Sequence, residues 1–151
     1  MLAVGSPAPE FSLRDQNLEA VTLKDLEGHK SLLVFIPNPF TTVCEAELCA
    51  IRDGLSTLND LDATVAAITC TTPFVNRRWS DDNAFGFRVL SDFWPHGETS
   101  RAYGAFNERF GIPNRHTIVL DAEGVVREII TSEHIYQARE FDLYTEALAR
   151  L

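Results

Sequence analysis

The sequence predicts an α/β fold: a central mixed β-sheet flanked by helices and extended by an N-terminal β-hairpin. Three observations carry that expectation. Unbroken apolar runs bounded by proline or polar residues recur along the chain, as strands covered on both faces require. Stretches with apolar residues three and four apart alternate with them. A glycine turn joins the last two strand-like runs ahead of a final amphipathic stretch.

Residues 11–13 and 21–23 are short strand-like runs on either side of the polar turn at 15–17, which predicts the hairpin. Residues 31–36, SLLVFI, form an apolar run stopped by Pro37 and Pro39, the pattern of a central strand. A helix over 42–58 follows, because Leu48, Ile51, Leu55 and Leu58 share one face while Arg52, Asp53 and Ser56 lie opposite. Thr41 or Thr42 is expected to cap it with a hydroxyl. Residues 64–69, TVAAIT, are a second buried strand, and Thr72 before Pro73 opens a helix carrying Phe74, Val75 and Trp79. A short strand at 87–90 and a short helix at 99–103, stopped by Gly104, come next. Residues 117–120 and 125–130 flank Asp-Ala-Glu-Gly, a hairpin turn with Gly124 in its left-handed position. The last helix sets Phe141, Tyr144, Leu148 and Leu151 along one stripe. A hairpin and a helix at the end of such an alternation close a thioredoxin-like fold, although periodicity by itself leaves other α/β topologies open.

With 151 residues, no linker-like stretch and no internal repeat, a single domain over 1–151 is expected. The 13 basic and 22 acidic residues give a net charge of −9, and no stretch gathers Lys and Arg into a stripe, so no nucleic-acid partner is expected. The N-terminal stretch lacks the regions of a signal peptide and no apolar run is long enough to span a bilayer, so a cytoplasmic protein without a membrane partner is expected. Cys44, Cys49 and Cys70 are too few, and odd in number, for a disulfide framework. There is no Cys-x-x-Cys, and His29, His96, His116 and His134 are scattered without ligand spacing, so no metal site is expected.

Counting back along the apolar stripe from Leu55 through Ile51 and Leu48 puts Cys44 on the same inward face, in the first turn of its helix. A thiol there meets free backbone N–H groups and the positive end of the helix dipole, both of which favour the nucleophilic thiolate. A lone cysteine at a helix start is more often a packing residue, so its neighbours decide. They read Pro37-Asn38-Pro39-Phe40-Thr41-Thr42-Val43-Cys44, a Pro-x-x-x-Thr-x-x-Cys loop leading from a buried strand into a helix. That loop resembles the active-site loop of the peroxiredoxins. The likeness covers nearly the whole chain, through residues 5–13, Ser91-Asp92, Tyr103-Gly104-Ala105-Phe106, and Asn114-Arg115 before the strand at 117. Within the family, Cys44-Glu45-Ala46-Glu47-Leu48, LSDFWPHG at 90–97 and GIPNR at 111–115 are most similar to the actinobacterial alkyl hydroperoxide reductase E branch, described as using one cysteine.

The resemblance implies a cofactor-free, thiol-dependent peroxidase of antioxidant defence that reduces hydrogen peroxide and organic hydroperoxides. Cys44 is then the peroxidatic residue, oxidised to a sulfenic acid. Thr41 and Arg115 align and polarise the O–O bond, the Cys44 N–H assists, and Pro37 shields the sulfur. Groups that meet charge as it moves from sulfur to the departing oxygen lower the barrier, whereas groups that bind the substrate equally throughout do not. Glu47 falls near the inward side of the helix; it either fixes a guanidinium through a two-point pair or, as a first-turn acid, only suits the helix dipole. The family also implies a homodimer packed through the active-site edge. Phe40, Trp79, Phe93 and Trp94 are candidates for an apolar mouth, set against the commoner fate of aromatic residues in a core.

Cys49 departs from the alkyl hydroperoxide reductase E pattern. Its spacing from Cys44 matches the Q-type, or bacterioferritin-comigratory, branch, in which the second cysteine closes an intramolecular disulfide. Residues five apart on a helix lie about 140° around the axis and about 7.5 Å along it, so their Cα atoms are roughly 8.6 Å apart, beyond the disulfide range of about 4.4–6.8 Å. Cys49 also falls on the polar side with Arg52, Asp53 and Ser56, so bridging requires the first turns to unwind. Two routes stay open: a Cys49 disulfide reduced by thioredoxin, or an external thiol of the mycoredoxin type. Cys70, at the end of a buried strand, is expected to be a small core residue and only secondarily a resolving partner. Outside the family two readings remain: a thioredoxin-like thiol-disulfide oxidoreductase, whose Cys-x-x-Cys is absent, and a non-catalytic interaction domain.

Overall fold

The structure, a computed structural model, describes residues 2–151. The chain opens with the hairpin β1 (Ser12–Arg14) and β2 (Ala20–Thr22), followed by β3 (Lys30–Phe35), α1 (Thr42–Asp53), α2 (Leu55–Asp60) and β4 (Ala63–Thr69). Next come α3 (Pro73–Asn83), β5 (Arg88–Ser91), α4 (Glu98–Ala102) and the two-residue strands β6 (Phe106–Asn107) and β7 (Ile112–Pro113). The terminal unit is β8 (His116–Leu120), β9 (Val126–Thr131) and α5 (Phe141–Ala149). The strands of the main sheet lie in the order β2-β1-β5-β4-β3-β8-β9, with β6 and β7 paired apart. β4 is parallel to both β3 and β5, whereas β8 runs antiparallel to β3 and to β9. This is the mixed sheet of a thioredoxin-like fold, with the N-terminal hairpin joined through β1 to β5. No helix among the described residues is long and apolar enough to cross a membrane.

The unbroken apolar run of β3 exists because both faces of the sheet are covered. Leu32, Val34 and Ile36 point into a core shared with Leu48 and Ile51 of α1, Leu58 of α2, Trp79 of α3, and Tyr144 and Leu148 of α5. Leu33 and Phe35 point the other way, into a second core with Phe11, Val21, Tyr103 and Ile118. The parallel strands β3, β4 and β5 end at one edge of the sheet, and the loop from Pro37 to Thr41 leaves that edge to enter α1. Crevices beyond the carboxyl ends of parallel strands are where open α/β sheets place their sites.

Strand bounds differ from the sequence expectation by a single residue; the larger differences have tertiary causes. The helix expected over 42–58 is broken at Gly54, whose N–H closes α1 on the Ala50 carbonyl at 3.0 Å. A Cβ at Gly54 would overlap the ring of Phe141, so the glycine leaves room for the first residue of α5. Thr41 stands at the N-cap of α1, but its hydroxyl makes no cap hydrogen bond. Leu151 lies beyond the end of α5 and is exposed, so the buried stripe of that helix stops at Leu148. Of the apolar residues expected on α3, Trp79 is buried while Phe74 and Val75 stand in solvent. β6 and β7 are too short to leave a periodic signal.

Candidate active site

Cys44 is the third residue of α1 and has no solvent exposure. The first helical hydrogen bond runs from the Glu45 N–H to the Thr41 carbonyl at 2.9 Å. The N–H groups of Thr42, Val43 and Cys44 therefore precede the ladder and have no acceptor among the described residues. Phe40, at φ +64, turns the chain from the strand edge into the helix. Thr41 donates its hydroxyl to the Asn38 carbonyl at 2.7 Å, which fixes the oxygen and leaves its lone pairs to accept.

These residues form one side of a cavity of about 470 Å³ that brings together Pro37, Thr41, Cys44 and Arg115. Arg115 comes from the loop before β8 and is buried. Its Nη1 donates to Glu47 Oε1 and its Nε to the Ile135 carbonyl, while Nη2 donates to no described residue. The guanidinium is thus held from two sides with one nitrogen left over, on a residue that lines the cavity.

Glu47 makes the buried ion pair that the sequence allowed, with a difference in geometry. Arg115 engages it at one point; the two-point pair belongs to Arg139, through Nε to Oε2 at 2.9 Å and Nη2 to Oε1 at 3.0 Å. The Arg139 N–H adds a third bond to Oε2 at 2.7 Å, and its Nη1 donates to the His116 carbonyl at 2.6 Å. Burial alone pushes the Glu47 carboxyl up, but the hydrogen bonds and charge of Arg139, with Arg115 behind them, hold it below its ordinary value. Two guanidinia against one carboxylate leave a buried excess of one positive charge. No sequence signal points to Arg139: it lies between β9 and α5, outside any periodic run or motif.

The other two cysteines face elsewhere. All three are free thiols. Cys49 is half-buried rather than on a polar face, its sulfur 3.8 Å from Asn83 Oδ1 on α3, and burial pushes its thiol up. Beside it, Glu45 accepts from Trp79 Nε1 at 3.0 Å and from Asn83 Nδ2 at 3.1 Å, so the first turn of α1 is tied to α3. Cys70 is buried next to the Ser100 hydroxyl, and burial raises its thiol to about 11.

The aromatic mouth is built from different residues than expected. Trp79 is a core residue against which Phe40 packs at 6.2 Å, and Phe93 meets His96; none of these, nor Trp94, lines the cavity. Phe110 and Ile112, around the turn between β6 and β7, and Ile135 and Tyr136, from the segment after β9, form its outer wall instead.

The sequence model of the AhpC/TSA family matches residues 4–129. The chain belongs to that family. It is a peroxiredoxin, an enzyme of the thiol-dependent peroxidase class. It is 45% identical over 152 residues to alkyl hydroperoxide reductase E of Mycobacterium tuberculosis, covering 100% of this chain and 99% of that protein. With peroxiredoxin Bcp of Escherichia coli the identity is 29% over 144 residues, covering 88% and 90%. Among solved structures, AhpC of Enterococcus faecalis superposes with a TM-score of 0.90 at 21% identity, covering 99% of this chain and 92% of that one. Peroxidoxin BcpB from Mycobacterium tuberculosis superposes with a TM-score of 0.89 at 24% identity, covering 100% and 99%. These two likenesses establish the fold of this peroxiredoxin.

Proposed function

We propose that residues 1–151 act as one peroxiredoxin domain in which Cys44 reduces hydroperoxides through a sulfenic acid, with Thr41, Arg115 and Pro37 completing the site. One observation carries the assignment: Cys44 and Arg115, with its unengaged Nη2, line the same cavity. The thiolate of Cys44 attacks the terminal oxygen of the hydroperoxide. An S–O bond forms as the O–O bond breaks, and the departing oxygen leaves with the electron pair and takes up a proton, giving water or an alcohol. Cys44 is oxidised by two electrons. Negative charge passes from sulfur to the leaving oxygen, where Arg115 Nη2 and the free N–H of Cys44 meet it as it develops. The Thr41 oxygen, oriented by Asn38, accepts from the peroxide O–H and sets its alignment. Pro37 fills the wall beside the sulfur and limits approach by other reactants.

Glu47 and Arg139 are positioning residues that keep Arg115 aimed. Burying an ion pair gains little net stability, so the value of this cluster lies in orientation.

For turnover, the geometry favours an external thiol over Cys49. Cys49 packs on α3, its thiol is pushed up by burial, and the first turn of α1 is held by both Glu45 and Glu47. A disulfide with Cys44 would require these ties to open. The reductant in this reading is a thioredoxin- or mycoredoxin-type protein, and the three unpaired thiols support the cytoplasm as its compartment.

The segments that follow β3, β4 and β5 at their carboxyl ends expose Phe40, Phe74 at the start of α3, Phe93 and Trp94, with Phe74 72% and Trp94 82% exposed. Exposed aromatics on the segments at this end of the sheet support a homodimer packed through the active-site edge. Intact mass after one equivalent of hydrogen peroxide tests the assignment. A gain of one oxygen, lost in Cys44→Ser and retained in Cys49→Ser, supports a sulfenic acid and an external reductant. A loss of two hydrogens that depends on Cys49 overturns the external route.

A further inference from the structure

We infer that Asn83, the last residue of α3, is a positioning residue for the oxidised enzyme: it clamps α1 so that a sulfenic acid at Cys44 stays in its helix, out of reach of Cys49. This rests on the peroxidase reading above and on its external-thiol route, and deepens them by naming the residue that closes the internal route.

Glu45, Cys49 and Arg52 are four and three residues apart, so they form one stripe on α1 about 10.5 Å long. Asn83 meets all three. Its Nδ2 donates to Glu45 Oε1 at 3.1 Å, its Oδ1 lies 3.8 Å from the Cys49 sulfur, and its backbone carbonyl accepts from Arg52 Nη1 at 2.8 Å. One residue at the end of a helix thus holds two turns of its neighbour. Trp79 Nε1 also donates to Glu45 Oε1, at 3.0 Å, so two donors from α3 converge on one carboxylate oxygen.

The chemistry of the partners fixes which way the amide faces. Glu45 Oε1 and the Trp79 carbonyl only accept, and Asn83 Nδ2 donates to both, at 3.1 Å each. A flipped amide would set oxygen against two oxygens, so Oδ1 is left to face Cys49. An acceptor at that point suits an S–H and disfavours a thiolate, the form that attacks. Burial pushes the Cys49 thiol up, Arg52 draws it down, and Glu45 and Asp53 add to the rise.

An internal disulfide requires the Cys49 sulfur to attack that of Cys44. The S–S bond forms, the S–O bond breaks, and the departing hydroxide takes up the proton given up by the Cys49 thiol and leaves as water. Cys44 is reduced as Cys49 is oxidised, with no outside reactant. The two Cα atoms must first come from roughly 8.6 Å apart to within about 6.8 Å, which unwinds the turn that carries Glu45. That turn stays wound while Glu45 is held by Asn83 and Trp79.

Intact mass followed over time after one equivalent of hydrogen peroxide tests the inference. The unmodified protein is expected to keep the added oxygen. Asn83→Asp sets a second carboxylate against Glu45 and opens the clamp. Loss of water from the oxidised protein is then expected to be roughly tenfold faster or more, the scale of one lost hydrogen bond to a charged group, and to disappear when Cys49→Ser is added. Glu45→Gln in the Asn83→Asp background returns a donor opposite the new carboxylate and is expected to restore the persistent oxygen, which a purely structural defect would not do. The rate of Cys44 oxidation is expected to be unchanged throughout, since neither Glu45 nor Asn83 lines the cavity. Glu45→Ala, which removes the same tie from the side of α1, carries the same expectation and serves if Asn83→Asp does not fold. A disulfide that forms no faster in these variants overturns the inference and leaves the external route standing. Rapid disulfide formation in the unmodified protein overturns both. If peroxide adds no oxygen to Cys44 and forms no disulfide there, the peroxidase reading itself falls.

Discussion

Arg115, Glu47 and Arg139 form a buried chain of charges in which each member depends on the next. Replacing Glu47 with Gln leaves two guanidinia without their counter-charge, and breaking a buried pair from one side costs about 3–5 kcal/mol. Glu47→Gln should lower urea stability on that scale and slow Cys44 oxidation, because Arg115 loses its support. The pH dependence has a definite sign. The Glu47 carboxyl is depressed below its ordinary 4.5 on folding, so its contribution is complete above that pH and is lost as pH falls through the folded value. Acid titration of stability should therefore be shallower below pH 4.5 in Glu47→Gln than in the unmodified chain; equal slopes would show that another carboxyl governs the loss. Cys70, raised to about 11 by burial, should resist alkylation at pH 8 in the folded protein, which peptide mapping reads directly. At this scale the sequence was legible where residues sit in a motif. Cys44, Thr41, Pro37 and Arg115 stand in or beside short runs of distinctive composition, whereas Arg139 is one arginine in an aperiodic segment and acquires its partner only when 92 residues of chain bring it against Glu47.

Strands and helices were readable because burial imposes periodicity, and the two-sided cover of β3 and β4 makes the signal strong. The break between α1 and α2 was not readable, since an isolated glycine in an apolar stripe is compatible with an unbroken helix and only the ring of Phe141 from α5 explains it. Gly54→Ala should be destabilising by about 1–3 kcal/mol through overpacking, which exceeds the gain of roughly 1 kcal/mol from helix propensity. Phe141 is held against Tyr144 at 6.2 Å, so its ring does not swing away freely. In a double-mutant cycle monitored by thermal melting, Phe141→Ala should reduce the penalty of Gly54→Ala; additive effects would place the cause elsewhere. The outer wall was hidden for a related reason. Phe110 and Tyr136 lie in a turn and a connecting segment, and neither carries a local pattern that announces a shared cavity.

For the molecule as a whole, the net charge of −9 excludes little at the site itself, because a neutral hydroperoxide gains nothing from long-range steering. What the whole molecule adds is the aromatic edge. Trp94→Glu together with Phe74→Glu should convert a dimer to a monomer in sedimentation velocity at micromolar concentration, and a monomeric unmodified protein would remove the dimer from the proposal. In the proposed reaction a Cys44 sulfur and an Arg115 guanidinium act across one cavity on one O–O bond. This arrangement is tested most directly by the second-order rate constant for oxidation of Cys44 by hydrogen peroxide in Arg115→Gln, with near-UV circular dichroism confirming the fold. Loss of one such donor costs on the order of 10²–10³ in rate, and a fall of that size, with the added oxygen still mapping to Cys44, is the expected result. Oxidation at the unmodified rate, or an oxygen found on Cys49 or Cys70, would contradict it.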